Sequence, residues 1–388
     1  MLYIENNCND PSYNLALEEY IFREMDIDEP VLLLWQNGPS VILGRYQNAI
    51  EEVDMDYLQE HDVSLVRRST GGGAVYHDLG NLNFSFIVPR DLDLSVLFGR
   101  SETGSEDPCV FSSGSPAETD GSGGIAEVFS IPVINALASL GIDAERSGRN
   151  DLLVNGSKFS GCAEQRSAKR ILHHGTLMFD VDMDAVAAAL RVKPGKFKSK
   201  SVKSVRSRVI NLKPLLDEAR QSIKPPAEAT SPPSVELTDP GSGELTVSGF
   251  RELLLDWFRR EYDIRDIALT DDQLNRVRVI RDEKYGNDRW NLGRSPKADI
   301  TRGGFFYCGQ IEFHFSIDQY IIRSVTITGD FFSRSTGSDS DPNSIAGLER
   351  SLRGIPYERS ALYNVLARAD LESLFGDITC KELVDAII

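Results

Sequence analysis

Residues 67–84 read Arg-Arg-Ser-Thr-Gly-Gly-Gly-Ala-Val-Tyr-His-Asp-Leu-Gly-Asn-Leu-Asn-Phe. The three consecutive glycines, Gly71, Gly72 and Gly73, lose more backbone entropy on ordering than any other tripeptide. A folded chain therefore keeps them where its backbone must pass very close to something. Arg67 and Arg68 stand in front of them with forked donors suited to carboxylate or phosphate, and the glycine amides can line an anion-binding concavity. A short β-prone run follows. These residues alone leave two readings open: the floor of a nucleotide or acyl-phosphate site, or a glycine-rich hairpin with two solvated arginines.

The rest of the chain bears on that choice. At 388 residues it exceeds what one hydrophobic core serves, so two domains are expected. A net charge of −17 argues against non-specific nucleic-acid binding by the whole surface, and an anionic partner must meet a local basic patch. One such patch runs from 191 to 213, with nine basic residues and no acid. The first residues have neither a basic segment nor a long apolar one, and no window approaches about 18 apolar residues, so a cytoplasmic protein without a membrane span is expected. The five cysteines, Cys8, Cys109, Cys162, Cys308 and Cys380, are scattered and lack metal-type spacing, which fits reduced thiols without a disulfide or zinc.

The periodicities describe an α+β protein. Asp10-Pro11 reads as a cap and first turn, and Tyr13, Ala16, Leu17, Tyr20 and Ile21 then recur at helical spacing. Strands are predicted at 31–35 and 41–44, joined as a hairpin through Gln36-Asn37-Gly38-Pro39, then a short acidic helix at 51–59 and strands at 64–67, 74–77 and 83–88. A helix is predicted over 128–140, with Pro132 in its early turns. Strands at 151–154 and 158–162 flank Asn155-Gly156, a strong hairpin signal, and a strand at 171–179 and a helix at 183–190 follow. An amphipathic helix at 249–262 closes a first domain, 1–264, and a linker at 263–270 leads to a second, 271–388, with a helix at 271–283, a β-hairpin over 303–328 and three further helices. With no glycine-rich loop or titratable cluster, the second domain is given an accessory role. Stretches 101–124 and 224–243, rich in Ser, Gly, Pro and acid, read as mobile insertions.

With these residues in view, the chain resembles the lipoate-protein ligases, which adenylate lipoic acid with ATP and pass it to a lysine of a lipoyl domain. The resemblance runs through Asn14-Leu-Ala-Leu-Glu-Glu, Leu34-Trp35, Gly44-Arg45, Gln47-Asn48, the stretch from Arg67 to Asn81, Gly148-Arg-Asn-Asp, Lys158-Phe-Ser-Gly-Cys-Ala, His173-His-Gly-Thr and Ser204-Val-Arg-Ser-Arg-Val. Trp290-Asn-Leu-Gly and the hairpin after it are similar, more loosely, to the C-terminal domain of the longer ligases. The resemblance implies a mixed-sheet catalytic domain of the biotin/lipoate ligase type followed by a small α+β domain. It implies ATP, Mg²⁺ and lipoate as reactants and cofactors, a lipoyl-AMP intermediate, and Lys158 as the catalytic lysine beside the α-phosphate and acyl carbonyl.

The same resemblance places Arg68, Gly71, Gly72, Gly73, Ala74, Val75, Tyr76 and His77 around the adenylate, joined by Asn81, Asn150, Asp151, Ser160, Gly161, His174 and Thr176. Asp151 is either a Mg²⁺ ligand or a turn residue, and Trp35 either lines the pocket or belongs to the core. His173 and His174, adjacent on a strand, point to opposite faces, which argues against a shared metal site. Many ligases place an arginine two residues after the Ser-Gly-x-Ala motif, where this chain has Gln165 followed by Arg166. The implied partners are lipoyl domains of 2-oxoacid dehydrogenase complexes or a glycine-cleavage H-protein, met by a monomer, with the basic run steering an acidic acceptor. The alternative is an octanoyl or lipoyl transferase of the same fold, which needs an exposed thiolate. Its cysteine belongs on a segment, 190–212, that has none in this chain.

Overall fold

The computed structural model describes residues 1–98, 124–148, 150–190, 209–222, 243–293, 298–334 and 340–388. Apart from Gly124 and Gly243 the expected insertions lie outside these residues, as does the basic run from 191 to 208.

An eight-stranded mixed sheet forms the body, in the order β11-β1-β2-β6-β10-β9-β8-β7. Its strands are β1 (Leu2–Ile4), β2 (Val31–Trp35), β6 (Asn81–Pro89), β7 (Ala144–Ser147), β8 (Asp151–Val154), β9 (Ser157–Arg166), β10 (Arg170–Met178) and β11 (Arg265–Ile267). β1 runs parallel to β2 and β11, and the remaining neighbours are antiparallel. A second, three-stranded sheet holds β3 (Ser40–Leu43) between β4 (Ser64–Arg67) and β5 (Val75–His77).

Both faces of the large sheet are covered, which is why β2 is apolar at every position and buried throughout. On one face Leu32, Leu34, Phe84, Phe86 and Phe159 pack with Phe129, Phe250 and Phe258 from the helices Gly124–Ser139 and Val247–Glu261. On the other, Leu33, Trp35 and Leu172 pack with α1 (Pro11–Arg23) and with Ile42 and Val66 of the small sheet. The start of α1 follows from its sequence: the Asp10 carboxylate accepts from the Ser12 amide at 2.9 Å and Pro11 has no amide to satisfy.

Several expectations change. β2 and β3 do not form a hairpin: each belongs to a different sheet, and Gln36–Pro39 is a crossing between them. Alternating apolar runs around a turn cannot reveal that the partners differ. The acidic segment forms two short helices, Ala49–Glu52 and Met55–Glu60, because Asp54 caps the second through the Tyr57 amide. Pro132 sits at the middle of its helix, not in the early turns. The expected linker 263–270 contributes β11, whose pairing with β1 extends the large sheet. The helix Asp271–Ile280 and the π-turn Arg281–Tyr285 also pack with α1, through Val277, Ile280 and Tyr285, instead of with the C-terminal helices.

The C-terminal body is a three-stranded antiparallel meander, β12 (Ile300–Phe306), β13 (Gly309–Asp318) and β14 (Ile321–Gly329), covered by the helices Ile345–Ser351, Arg359–Leu366, Leu371–Phe375 and Cys380–Ile387. Its core includes Phe313, Phe315, Ile327, Leu362 and Phe375. Tyr46, from the loop after β3, joins this core by stacking on Phe331 with ring centres 4.9 Å apart.

Candidate active site

Asn155 and Gly156 both take positive φ, 52° and 72°, the conformation that a tight two-residue hairpin needs and that this dipeptide favours. The β8–β9 ladder then carries a bulge: Leu152 faces Ser160 while Leu153 faces Lys158, which leaves Phe159 over. Phe159 fills the aromatic core, and Lys158 lies on the opposite face beside Asp151 and Gly161. The Lys158 Nζ is 2.6 Å from Asp151 Oδ1, and both side chains are about one-third exposed. A Cβ on Gly161 would lie 3.1 Å from that Nζ, so glycine there lets the amine rest along the strand. The Ile210 amide donates to the Lys158 carbonyl at 2.9 Å and fixes the bulge.

From this point two rows of side chains cross the sheet. In the first, the Gly161 amide donates to Thr176 Oγ1 at 3.1 Å, Thr176 faces Asn83, and Asn83 faces Trp35. In the second, about 7 Å along the strands, Ala163 faces His174 and His174 faces Ser85. His174 Nδ1 donates to Glu18 at 2.8 Å, and its Nε2 accepts from the Thr70 hydroxyl at 2.9 Å. Ser85 also donates to Glu18, at 2.7 Å, and receives the Trp35 indole N–H at 2.9 Å. Trp35 is thus a buried, hydrogen-bonded core residue of this row system. Ser69 donates to Gln165 at 2.8 Å, so the start of the glycine loop is fastened to β9 and β10. Glu18, Ser85 and Thr70 were given no site role from the sequence. The available signal was Asn14 and Glu18, two polar residues four apart within the apolar face of α1.

The two arginines are directed at the chain's own backbone. Arg67 is fully buried, and its guanidinium donates to the carbonyls of Gly44, Arg45, Gln47, Trp290 and Asn291. Arg68 donates to Thr70 Oγ1 and to the carbonyls of Ile42, Gly71 and Gly73. Burial lowers the Arg68 pKa to about 10, which leaves it charged at neutral pH. The glycines are also only partly explained by a ligand. A Cβ on Gly71 would sit 2.5 Å from the Phe331 carbonyl, and Gly72, at φ +93°, lies against Phe332 and donates its amide to that same carbonyl at 3.3 Å. Gly73 alone of the three has open space before it.

Beyond the glycines, Ala74, Val75 and Tyr76 are half-buried. Burial, with Asp78 close by, raises the Tyr76 phenol to about 12. His77 is buried and held neutral, its pKa lowered to about 3 by burial and then by Arg68 and His174. Its Nδ1 accepts from the Asn37 amide at 3.0 Å. The His77 Nε2 and the Asn83 Nδ2 are buried donors without a hydrogen-bond partner among the described residues, and both flank Trp35. Asn81 donates to Asn83 Oδ1 at 2.9 Å. Asn150 exchanges two hydrogen bonds with the Cys162 backbone, at 2.7 and 3.1 Å, and so continues the edge of β9.

Ser160 stands apart from the other expected residues. It pairs with Leu152, and its hydroxyl meets the Cys162 sulfur at 3.8 Å on the reverse face, where strand alternation must put it. Cys162 is buried there with its pKa raised to about 11, the opposite of an activated thiolate. Gln165 is buried on the site face, whereas Arg166 pairs with Glu164 at 2.9 Å on the other. His173 likewise faces away from His174, stacked on Phe129. Among the described residues no three His, Cys, Asp or Glu side chains gather as a metal site.

Both halves of the chain match known families. The lipoyl protein ligase A/B catalytic domain matches residues 10–103 and 115–226, and the bacterial lipoate protein ligase C-terminus matches 295–387. The chain is 37% identical to lipoate-protein ligase LplJ of Bacillus subtilis over the full length of both. Among solved structures, a bi-partite lipoate protein ligase from Thermoplasma acidophilum, studied with its E2 lipoyl domain, is 28% identical with a TM-score of 0.55 over 77% of this chain and 98% of that one. A lipoate-protein ligase A bound with ATP is 26% identical with a TM-score of 0.53 over 76% and 98%. With both of its domains matched in order and a relative this similar from end to end, the chain belongs to the lipoate-protein ligase family.

Proposed function

We propose that the protein condenses lipoate with ATP to give lipoyl-AMP and pyrophosphate, and then transfers the lipoyl group to a lysine of a lipoyl domain. The observation that carries this reading is the Lys158 amine resting on Gly161, one row from the point where Thr70 and His174 fasten the glycine loop to the sheet. A carboxylate and the ATP α-phosphate repel each other. A fixed cation between them offsets that repulsion most where water is scarce.

In this reading the acyl chain lies over Gly161 and Ala163, the small residues of the site face, toward His174 and Gln165. Gly73 and the backbone of Ala74, Val75, Tyr76 and His77 bound the adenylate, and the unpaired donors of His77 and Asn83 meet its acceptors. Arg68 acts at one remove: its guanidinium shapes the loop by holding the Gly71 and Gly73 carbonyls. Lys158 leaves Asp151 to meet the reacting phosphate. Asp151 would then be free to offer one carboxylate to a Mg²⁺ ion accompanying the triphosphate, with Asn150 next to it in the chain. Such an ion would screen phosphate charge; the chain's own residues place the two anions.

Transfer follows when an acceptor lysine attacks the mixed anhydride and AMP leaves with the bonding electron pair. The buried thiol of Cys162 weighs against the transferase alternative. We place the activity in the cytoplasm, in a monomer, with lipoyl domains of 2-oxoacid dehydrogenase complexes or a glycine-cleavage H-protein as acceptors. Among the described residues no helix is long and apolar enough to cross a membrane. Incubation with ATP, lipoate and purified apo lipoyl domains, read by mass shift, tests the proposal. Modification that requires ATP and releases pyrophosphate is expected; modification only from an acyl-carrier thioester would overturn it.

A further inference from the structure

A chain of buried side-chain amides runs from α1 to the site, and each link fixes the next. The Asn14 Nδ2 shares its two hydrogens among three oxygens: the Cys8 carbonyl at 2.8 Å, the Gln36 carbonyl at 2.7 Å and Asn37 Oδ1 at 2.9 Å. Carbonyls only accept, so this end of the amide is the donor, and Asn14 Oδ1 at the other end takes the Asn6 N–H at 2.8 Å. Asn37 is oriented in turn. Its oxygen faces Asn14 and its Nδ2 faces His77 Nδ1 at 3.0 Å. An amide nitrogen cannot accept, so His77 Nδ1 is a lone pair and the ring proton is on Nε2.

That Nε2 is the atom left over. His77 is 3% exposed, and its Nε2 is buried without a hydrogen-bond partner among the described residues. Asn83 ends the same way: its Oδ1 takes the Asn81 N–H, and its Nδ2 is buried and unmet. Both residues neighbour Trp35, His77 edge to face with ring centres 6.4 Å apart and Asn83 as its partner on the next strand. Two unmet donors beside one indole suit an occupant that brings oxygen acceptors.

His174 has the opposite polarity, for an opposite reason. The group behind its ring is the Glu18 carboxylate, which takes the Nδ1 proton at 2.8 Å. Thr70 Oγ1 accepts from Arg68 and so donates its own hydrogen to His174 Nε2. An amide behind one histidine and a carboxylate behind the other therefore make His77 Nε2 a donor and His174 Nε2 an acceptor. We propose that Asn14 and Asn37 are positioning residues of the reaction, an amide relay that holds His77 as the Nε2–H tautomer and so makes it a donor to an oxygen of the bound acyl-nucleotide. The role in the reaction rests on the proposed function, whereas the relay rests on the hydrogen bonds alone.

The protonated nitrogen of each ring is read directly by ¹⁵N NMR of the full chain carrying ring-labelled histidine. Five histidines keep the spectrum small, His77→Gln assigns the His77 signals, and His174 is the internal reference for a protonated Nδ1. Native protein should show His77 with a protonated Nε2 and a bare Nδ1. Asn37→Asp keeps the shape and the acceptor for Asn14 but sets an oxygen against His77 Nδ1, as Glu18 does at His174. Nδ1 should take the proton and Nε2 lose it, since burial keeps this ring from holding two. ATP–pyrophosphate exchange should then fall in kcat/KM by about 10- to 100-fold, the loss of one hydrogen bond to a charged group. In a His77→Gln background, whose amide donates without a tautomer to set, the same substitution should cost less than about threefold more. A native His77 with its proton on Nδ1 overturns the proposal whether or not the variant folds. An Asn37→Asp protein whose Nδ1 stays bare overturns the relay. Loss of the Nε2 proton with exchange unchanged, or a full cost that persists in the His77→Gln background, overturns the positioning role. The expected tautomer in a native protein without exchange activity removes the proposed function, and the role in the reaction with it, and leaves the relay standing.

Discussion

The glycine loop and the Lys158 hairpin both join glycine to a cation, and they use the pair in opposite ways. In the loop the cations are buried: Arg67 and Arg68 are bonded to backbone carbonyls and to Thr70, and two of the three glycines make room for Phe331 and Phe332. In the hairpin the cation is presented: Lys158 is one-third exposed, lies on Gly161 and is tied to the equally exposed Asp151. Local charge density in a sequence therefore does not locate the reacting charge. A guanidinium with five donors is suited to organising carbonyls, while an ammonium on a flexible stem can exchange one partner for another.

If the loop is a frame, breaking it must cost stability before it costs chemistry. Arg67→Met leaves five carbonyl acceptors without their donor and should lower stability by on the order of 4 kcal/mol, read by urea unfolding. An effect below about 1 kcal/mol would mean that the arginine is not structural. Gly72→Ala adds a Cβ 2.8 Å from the Phe332 ring at φ +93°, and a loss of about 1–3 kcal/mol is expected. Gly73→Ala sharpens the contrast, because nothing lies within 4 Å of its added carbon. Stability should move by less than about 0.5 kcal/mol, while the KM for ATP rises. An unchanged KM would show that Gly73 does not border the nucleotide.

A separate effect is on acid sensitivity. His77 and His173 stay neutral in the fold down to about pH 3, whereas unfolded histidine protonates near 6.5. Between those values the unfolded chain binds more protons, so stability is full above about 6.5 and falls as pH falls toward 3. His173→Phe should make the loss between pH 7 and pH 5 shallower. An unaltered slope would place the titration elsewhere.

What the sequence showed followed from how local each signal is. Asn155-Gly156 demands a tight turn wherever it falls, so the turn presenting Lys158 was legible, although β9 runs on to Arg166, four residues past the expected end, and the start of α1 was legible from Asp10-Pro11 and its apolar spacing. The partner of a strand is not local, so the crossing from β2 to β3 read as a hairpin and β11 read as a linker. The same limit governs the site. Glycines announce close approach but not to what, and for Gly71 and Gly72 the answer lies more than 250 residues along the chain, in Phe331 and Phe332. Glu18 was hidden for a related reason, since its partners Ser85 and His174 come from β6 and β10.

The contrast between frame and presented charge is tested most directly by single-turnover formation of lipoyl-AMP from labelled ATP and lipoate, followed by rapid quench in the native protein and in Lys158→Ala. Removing the one cation assigned to the reacting phosphate should slow this step on the order of 100-fold or more, with urea stability within about 0.5 kcal/mol of native. A near-normal rate of adenylate formation in the folded variant would contradict the account.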